Sequence, residues 1–391
     1  MKSKKVVIAL SGGVDSSVAA YLLKKQGYNL IGLFMKNWHD ENATISDECP
    51  WLEDSNDAML VAEKLKIPFK TVDLSKEYKK RIIDYMFKEY SNGRTPNPDI
   101  LCNKEIKFDV FMKLALSLDA DYVATGHYSQ IELTNNSEYR LLQGVDKIKD
   151  QTYFLCQLNQ KQLSKILFPI GHLKKSEVRD IAKKNYLITA DKKDSQGLCF
   201  VGKIRLPEFL QQKLKRKKGD IIEIPSDSKV FKVKSEGDQS RLNDLSKKYN
   251  FSKNDGKIIG EHNGAYYYTI GQRKGLAIGG YDEPIFVIGI NTKSNEIFVG
   301  KGKNHPGLIK KAIKIEIGTI NWVNESYNID LIKTLKLKAR IRYRQPLQDI
   351  TIHIYRKNLF IEFNKYQTAI TSGQFLAFYH KNELIASCVI S

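Results

Sequence analysis

The segment Ser11-Gly12-Gly13-Val14-Asp15-Ser16-Ser17 constrains the fold of this 391-residue chain more than any other. It follows an apolar run, Val6 to Leu10, that reads as a buried parallel strand. It precedes Val18, Ala19, Ala20, Leu22 and Leu23, spaced as the apolar face of a helix. A Gly-rich turn between strand and helix aims backbone N–H groups and the positive helix end at one point, which suits a phosphate. Gly12 and Gly13 let the backbone approach without a Cβ clash, and Ser11, Ser16 and Ser17 add hydroxyl donors. The loop lacks the Lys beside a final Ser or Thr that a Walker-type loop requires. On sequence alone it also fits a plain capping turn.

Strand–helix alternation continues to about residue 200. Strands are expected at Lys5–Leu10, Asn29–Met35, Phe69–Asp73 and Tyr122–Thr125, with helices near 16–26, 54–65, 76–90, 105–118 and 174–185. This is the α/β pattern of an open, Rossmann-like parallel sheet, whose ligands sit at the carboxyl ends of the strands. The Gly-rich loop, Met35 and Thr125-Gly126-His127 all fall at such ends. Residues 204–225 read as a short helical stretch and a basic turn, and 226–256 as a polar surface loop or partly disordered insertion. From about 258, short alternating runs (AYYYTI, PIFVIGI, EIFVG, KIEIGTI, LKLKARIRYR, DITIHIY, LFIEF, FLAFYH) predict an all-β sandwich or barrel.

The length predicts two or three domains, and no apolar run is long enough to span a membrane. The N-terminus turns polar at Ser11, too early for a secretory signal. Five cysteines (49, 102, 156, 199 and 388) form no CxxC pair, which suits a reducing cytoplasm. Of the net charge of +19, residues 1–200 carry +4 and residues 201–391 carry +15. A basic half beside a nearly neutral one predicts a polyanionic partner for the C-terminal part.

Two loops hold candidate nucleophiles. Cys102 ends the stiff segment Asn97-Pro98-Asp99-Ile100-Leu101-Cys102, ahead of a helix expected to start near Lys104. A helix N-terminus lowers a thiol pKa, and Asp99 is close enough in sequence to exchange protons with it. Cys199 lies in the polar loop Lys192-Lys193-Asp194-Ser195-Gln196-Gly197-Leu198-Cys199. Two such thiols beside a phosphate loop suit sulfur transfer, one carrying sulfur and the other resolving it. Two unrelated cysteines fit the sequence as well. Cys156 follows an apolar run and reads as core. His127 reads either as a satisfied strand-end histidine or as a ligand contact. Along Leu335–Arg344, Lys336, Lys338, Arg340, Arg342 and Arg344 recur at period two, a cationic strand face matched to an RNA backbone or to a charged sheet edge.

With these residues in view, the chain resembles the bacterial tRNA-specific 2-thiouridylases, within the pyrophosphate-loop ATPases that split ATP into AMP and pyrophosphate. The segments carrying the resemblance are ALSGGVDSSVAA, GLFMKNW, GRTPNPDILCNKEIKF, ATGHY, KDQTYFL, LFPIG, KKDSQGLCF and YYYTIGQRKGLAIGG. The resemblance implies that Ala9, Leu10, Ser11, Gly12, Gly13, Val14, Asp15, Ser16, Met35 and Gly126 bind ATP, with Mg²⁺ on its phosphates. Cys102 is then the nucleophile, Asp99 its acid/base neighbour, and Cys199 the persulfide carrier, with a transient disulfide between the cysteines. Asn97, Pro98 and Asp99 would surround the target uridine, and His127, Lys149, Asp150, Gln151, Arg342, Tyr343 and Gln345 would touch tRNA. Implied partners are tRNA, read at its wobble uridine, and a sulfur-donor protein.

The resemblance also implies a catalytic domain at 1–203, a small central domain at 204–275 carrying the 226–256 insertion, and a C-terminal β-barrel at 276–391 that binds tRNA. Three departures stand out: the long 226–256 stretch, Ser372-Gly373-Gln374 where the family has Pro-Gly-Gln, and Ala386-Ser387-Cys388-Val389 in place of a Gly-rich ending. Two other classes remain open on sequence alone. One is a pyrophosphate-loop ligase or amidotransferase acting on a small metabolite; the other is a non-catalytic RNA-binding protein that senses ATP.

Overall fold

A computed structural model describes residues 3–37, 50–194, 206–232, 238–327 and 334–391. Strand β1 (Lys5–Ala9) leads through the Gly-rich loop into helix α1 (Val14–Lys25), followed by β2 (Asn29–Lys36), α2 (Pro50–Lys64) and β3 (Phe69–Asp73). Helical stretches over 75–91 and 98–117 lead to β4 (Tyr122–Ala124). A hairpin, β5 (Ser129–Leu133) and β6 (Tyr139–Gln143), then precedes the short β7 (Ile166–Leu167) and a helix at Lys175–Lys184. The sheet order is β3-β2-β1-β4-β7, all parallel. Because successive side chains point to opposite faces, Val7 and Ala9 join one core with the 75–117 helices. Val6, Ile8 and Leu10 join another with α1, α2 and the Lys175–Lys184 helix. Helices on both faces explain the nearly unbroken apolar strands.

A second sheet holds β8 (Gly219–Glu223), β9 (Lys257–His262), β10 (Ile285–Asn291) and β11 (Glu296–Lys301), in the order β10-β11-β8-β9. The predicted break at 275/276 is therefore misplaced, because β10 and β11 complete the central sheet and the boundary falls after Lys301. The AYYYTI run is not a strand. Residues Ala265–Tyr267 form a 3₁₀ turn whose Tyr266 and Tyr267 hydroxyls donate to the carbonyls of Lys215 and Leu214. The 226–256 stretch is more ordered than expected: Asp238–Leu245 is a helix with Leu242 buried.

The C-terminal module comprises β12 (Ile309–Glu316), β13 (Asn321–Trp322), β14 (Thr334–Arg340), β15 (Gln348–Tyr355), β16 (Asn358–Thr368), β17 (Phe375–His380) and β18 (Glu383–Val389). Its antiparallel order is β12-β16-β15-β14-β17-β18, around a core that includes Leu337, Ile352, Ile361, Phe363 and Phe378. The sheet continues into the first module. β18 pairs with β6 at Glu383–Leu142 and Leu384–Leu141, so the β5–β6 hairpin joins both ends of the chain.

Candidate active site

The Gly-rich loop closes on itself. The Ser11 N–H donates to Ser16 Oγ at 3.1 Å, and the Ser16 and Ser17 hydroxyls donate to the Gly13 carbonyl at 3.0 and 2.8 Å. Gly13 is the N-cap of α1 and supplies no side-chain cap, so the helix N-terminus keeps its anion-binding character. Two glycines are fixed by crowding. Gly12 has φ of +72°, and a Cβ there would sit 2.2 Å from the Asp54 carbonyl oxygen; a Cβ on Gly126 would sit 2.7 Å from the Ser16 nitrogen. The end of β4 is thereby pressed against the first turn of α1. Ala9 and Met35 are buried at the ends of β1 and β2, in the same cluster as Cys102. An uncapped helix N-terminus at the end of a parallel strand is the kind of backbone cradle that suits a triphosphate.

Sequence reasoning overlooked how this loop is anchored. Asp15 accepts from Lys175 Nζ at 2.7 and 2.8 Å and from the Tyr128 hydroxyl at 2.7 Å. Lys175 also pairs with Asp194 at 2.8 Å, which Lys149 and Arg179 reach at 2.7 and 3.1 Å. Partial burial opposes ionisation of Asp194, but hydrogen bonds from Lys149 and Lys175 prevail and hold its carboxyl down at about 2. Lys192 bridges Asp54, at 2.7 Å, and Asp57 on α2. A faint signal for Lys175 was present: a cation at a helix N-terminus opposes the helix dipole and needs a partner. Cys199 lies outside the described residues, five positions beyond Asp194.

The Cys102 helix starts earlier than predicted, at Pro98 rather than near Lys104. Asn97 is its N-cap, accepting from the Ile100 N–H at 3.2 Å, with Pro98 in the first turn. Cys102 is fully buried, and the helix widens to π form over Cys102–Val110. On the same stretch Phe108 lies 6.0 Å, centroid to centroid, from the His127 ring, which also meets Phe168. His127 hydrogen-bonds Thr125 Oγ1 at 2.7 Å; burial, then the charge of Lys107, lowers its pKa well below the usual value. The Asn97 loop rests on all three modules. The Thr95 N–H donates to the Ser372 carbonyl at 2.9 Å, and Gln374 Nε2 donates to the Thr95 and Pro96 carbonyls at 2.9 and 3.2 Å. Thr95 Oγ1 meets Thr269 Oγ1 at 3.1 Å.

Several of the residues expected to touch RNA also make contacts within the protein. Asp150 is buried and accepts from Gln143, Gly144, Thr152 and Arg340. Arg340 is buried with it, 3.1 Å away, and so leaves the expected cationic face, whose Lys336, Lys338, Arg342 and Arg344 are exposed. β14 stops at Arg340 and the chain turns, Arg344 taking φ of +65°. Gln151 exchanges hydrogen bonds with the Tyr128 backbone. Gln345 bonds the Ile341 N–H and Gln367, Tyr343 packs 4.2 Å from the Phe154 ring, and Arg342 donates to the Thr368 and Ala369 carbonyls. Cys156 is core, as expected, with burial pushing its thiol up to about 12. Among the described residues, no three His, Cys, Asp or Glu side chains converge as a metal site, and no helix is long and apolar enough to cross a membrane.

Comparison with known proteins agrees with this architecture. Family models match residues 4–203 (tRNA methyl transferase HUP domain), 245–301 (tRNA methyl transferase PRC-barrel domain) and 313–390 (aminomethyltransferase beta-barrel domain). A tRNA-specific 2-thiouridylase MnmA of Christiangramia forsetii is 60% identical over 396 residues, covering 99% of this chain and 100% of the relative. One from Flavobacterium johnsoniae is 58% identical with the same coverage, and one from Karelsulcia muelleri is 50% identical over the full length of both. The model names refer to methyl transfer and the relatives' names to thiolation. Full-length identity outweighs a domain label, and the chain belongs to the tRNA-specific 2-thiouridylase family.

Proposed function

We propose that the protein catalyses ATP-dependent 2-thiolation of the wobble uridine of tRNA. The observation that carries this reading is a shared tether: Lys175 holds both Asp15 of the Gly-rich loop and Asp194 on the segment leading to Cys199. Five residues of chain extend at most about 18 Å, which leashes Cys199 to the loop that suits ATP. Ala9 to Ser16, Met35 and Gly126 are the proposed nucleotide site. Mg²⁺ accompanies the triphosphate and screens its charge.

In the proposed chemistry, uracil O2 attacks the α-phosphorus as N3 gives up its proton, with Asp99 as carrier. The bond to the β-phosphate breaks and pyrophosphate leaves, its charge favoured by the α1 N-terminus. AMP is now a leaving group on C2. A separate sulfur-donor protein loads Cys199 with a persulfide. In one order the terminal sulfur displaces AMP, and the Cys102 thiolate then attacks Cys199 Sγ, breaking the S–S bond and leaving sulfur on C2. In the other, Cys102 attacks first and the released hydrosulfide displaces AMP. In both orders the transferred sulfur gains two electrons, a Cys102–Cys199 disulfide forms, and an external dithiol resets it.

Asn97, Pro98 and Asp99 are proposed to surround the uridine. His127, Lys149, Gln151, Arg342, Tyr343 and Gln345 are proposed to line the RNA side, and Asp150 to brace it from within. The reaction belongs to the cytoplasm, where tRNA, ATP and thiol reductants coexist. Replacing Cys102 or Cys199 by Ser should abolish 2-thiouridine formation, measured by nucleoside mass spectrometry, while tRNA-dependent AMP and pyrophosphate release persists. Full thiolation by both variants would refute sulfur transfer through these residues.

A further inference from the structure

Apart from the exposed cations of β14 and the turn after it, the positive charge of the C-terminal half also collects at a second place. The Asp238–Leu245 helix lies against β12 and β16, its Arg241 donating to both Glu362 oxygens at 2.7 and 3.0 Å. Between this helix, residues 246–250, β12 and β10 lie two adjoining clefts of about 260 and 250 Å³, sharing Tyr249 and Lys310 as walls. Lys247 and Lys311 line the outer cleft with Tyr366, whose ring is 59% exposed. Lys248 and Lys314 line the inner one, which ends at Gly93 and Ser372, against the turn that supports the Asn97 loop. Asp244 is the acidic side chain lining them, against five lysines and the Glu362-paired Arg241.

Like charge presses on the lysines in the middle. Burial, then the neighbouring Lys248, pulls the Lys310 pKa down to about 8, and burial and Arg94 lower that of Lys248. Like charges held together in a partly buried cleft are relieved when an anion joins them.

We propose that this groove, built partly by the 226–256 insertion, binds the ribose–phosphate backbone of the tRNA substrate outside the target nucleotide. The inference rests on the thiolation reading. Two clefts in series exceed the needs of one inorganic phosphate, and lysines interleaved with Tyr249 and Tyr366 are the groups that hold a nucleic-acid strand by charge and stacking. Since the inner end abuts the support of the Asn97 loop, backbone held there orients the tRNA on the site without reading its sequence.

The test is tRNA binding by the full-length protein across a salt series, with Lys247→Ala/Lys248→Ala/Lys311→Ala and, separately, Lys310→Gln. The triple variant should bind unmodified tRNA about tenfold more weakly at low salt. Its log K against log salt slope should be shallower by about two, as expected for losing two to three phosphate contacts. Lys310→Gln, which removes one charge and keeps the stem, should lower the slope by about one. Unchanged affinity and slope in both folded variants overturns the groove assignment. So does a change in inorganic phosphate binding with tRNA binding intact. A wild-type protein that binds tRNA but never thiolates it overturns the functional reading and leaves the groove standing.

Discussion

At the scale of single residues, the Asp150–Arg340 pair shows how a functional-looking charge becomes a structural one. Both side chains are almost completely buried, and Asp150 makes six hydrogen-bond contacts, with Gln143, Gly144, Arg340, the Thr152 N–H and, at both carboxylate oxygens, the Thr152 hydroxyl, all within 3.3 Å. Removing one partner strands the other without water, a loss of about 3–5 kcal/mol for buried pairs. Arg340→Ala and Asp150→Ala should each destabilise the protein by that order in urea unfolding followed by tryptophan fluorescence. The salt slope of tRNA binding should stay at the wild-type value; a shallower slope in a stable Arg340→Ala protein would restore the RNA-facing role. Strand alternation could not distinguish these outcomes. It places Arg340 on the face of Lys336 and Lys338, but the partner lies 190 positions away in sequence, and burial is decided by what packs there.

At the scale of elements, most of the first module was legible because its signals are local. β1, the Gly-rich turn and α1 follow from an apolar run, two glycines and a helical spacing, and the structure has all three within a residue or two of expectation. The start of the Cys102 helix was also legible, since Asn97-Pro98 is an N-cap followed by a proline at the first helical position; weighting the loop prolines as rigid turn residues hid it. The β5–β6 hairpin's pairing with β18 was not legible, because strand pairing across 240 residues leaves no periodic mark. The same non-locality applies to the turn at Ser372-Gly373-Gln374, which supports the catalytic loop from the far end of the chain. Gly373 has φ of +91°, and a Cβ there would lie 2.8 Å from the Thr95 carbonyl oxygen. Gly373→Ala should therefore cost about 1–3 kcal/mol in strain and shift the Asn97 loop. Misplacement on the ångström scale costs roughly 100-fold in rate. The expected result is a kcat for thiolation lowered by one to two orders, with ATP affinity unchanged because the α1 loop is untouched. Equal losses in both would place the defect in folding instead.

At the scale of the molecule, the three modules meet on one short loop. Thr95 touches Thr269 of the central module, Ser372 and Gln374 of the C-terminal module hold its backbone, and Gly93 packs against Ile290 and Thr292 of the central sheet. Cys102, a few residues on, has no solvent exposure in this arrangement, so the proposed transfer of sulfur through it requires the loop and its supports to part. On the proposed mechanism the modules act as a clamp that keeps this thiol sheltered between turnovers. Cys156 and Cys388 are equally buried, and burial raises the pKa of both, so they serve as internal standards. In the resting protein, alkylation mapped by peptide mass spectrometry should modify Cys102 as slowly as these two. Gln374→Ala removes the two bonds to the Thr95 and Pro96 carbonyls and the one accepted from Asn97 Nδ2, loosening the clamp on one side while leaving both reference cysteines in place. Cys102 labelling should then rise about tenfold relative to Cys156, the order expected when about 1.4 kcal/mol of support is lost. If Cys102 and Cys156 instead accelerate together, the protein is opening as a whole, and the loop is not what shelters the nucleophile.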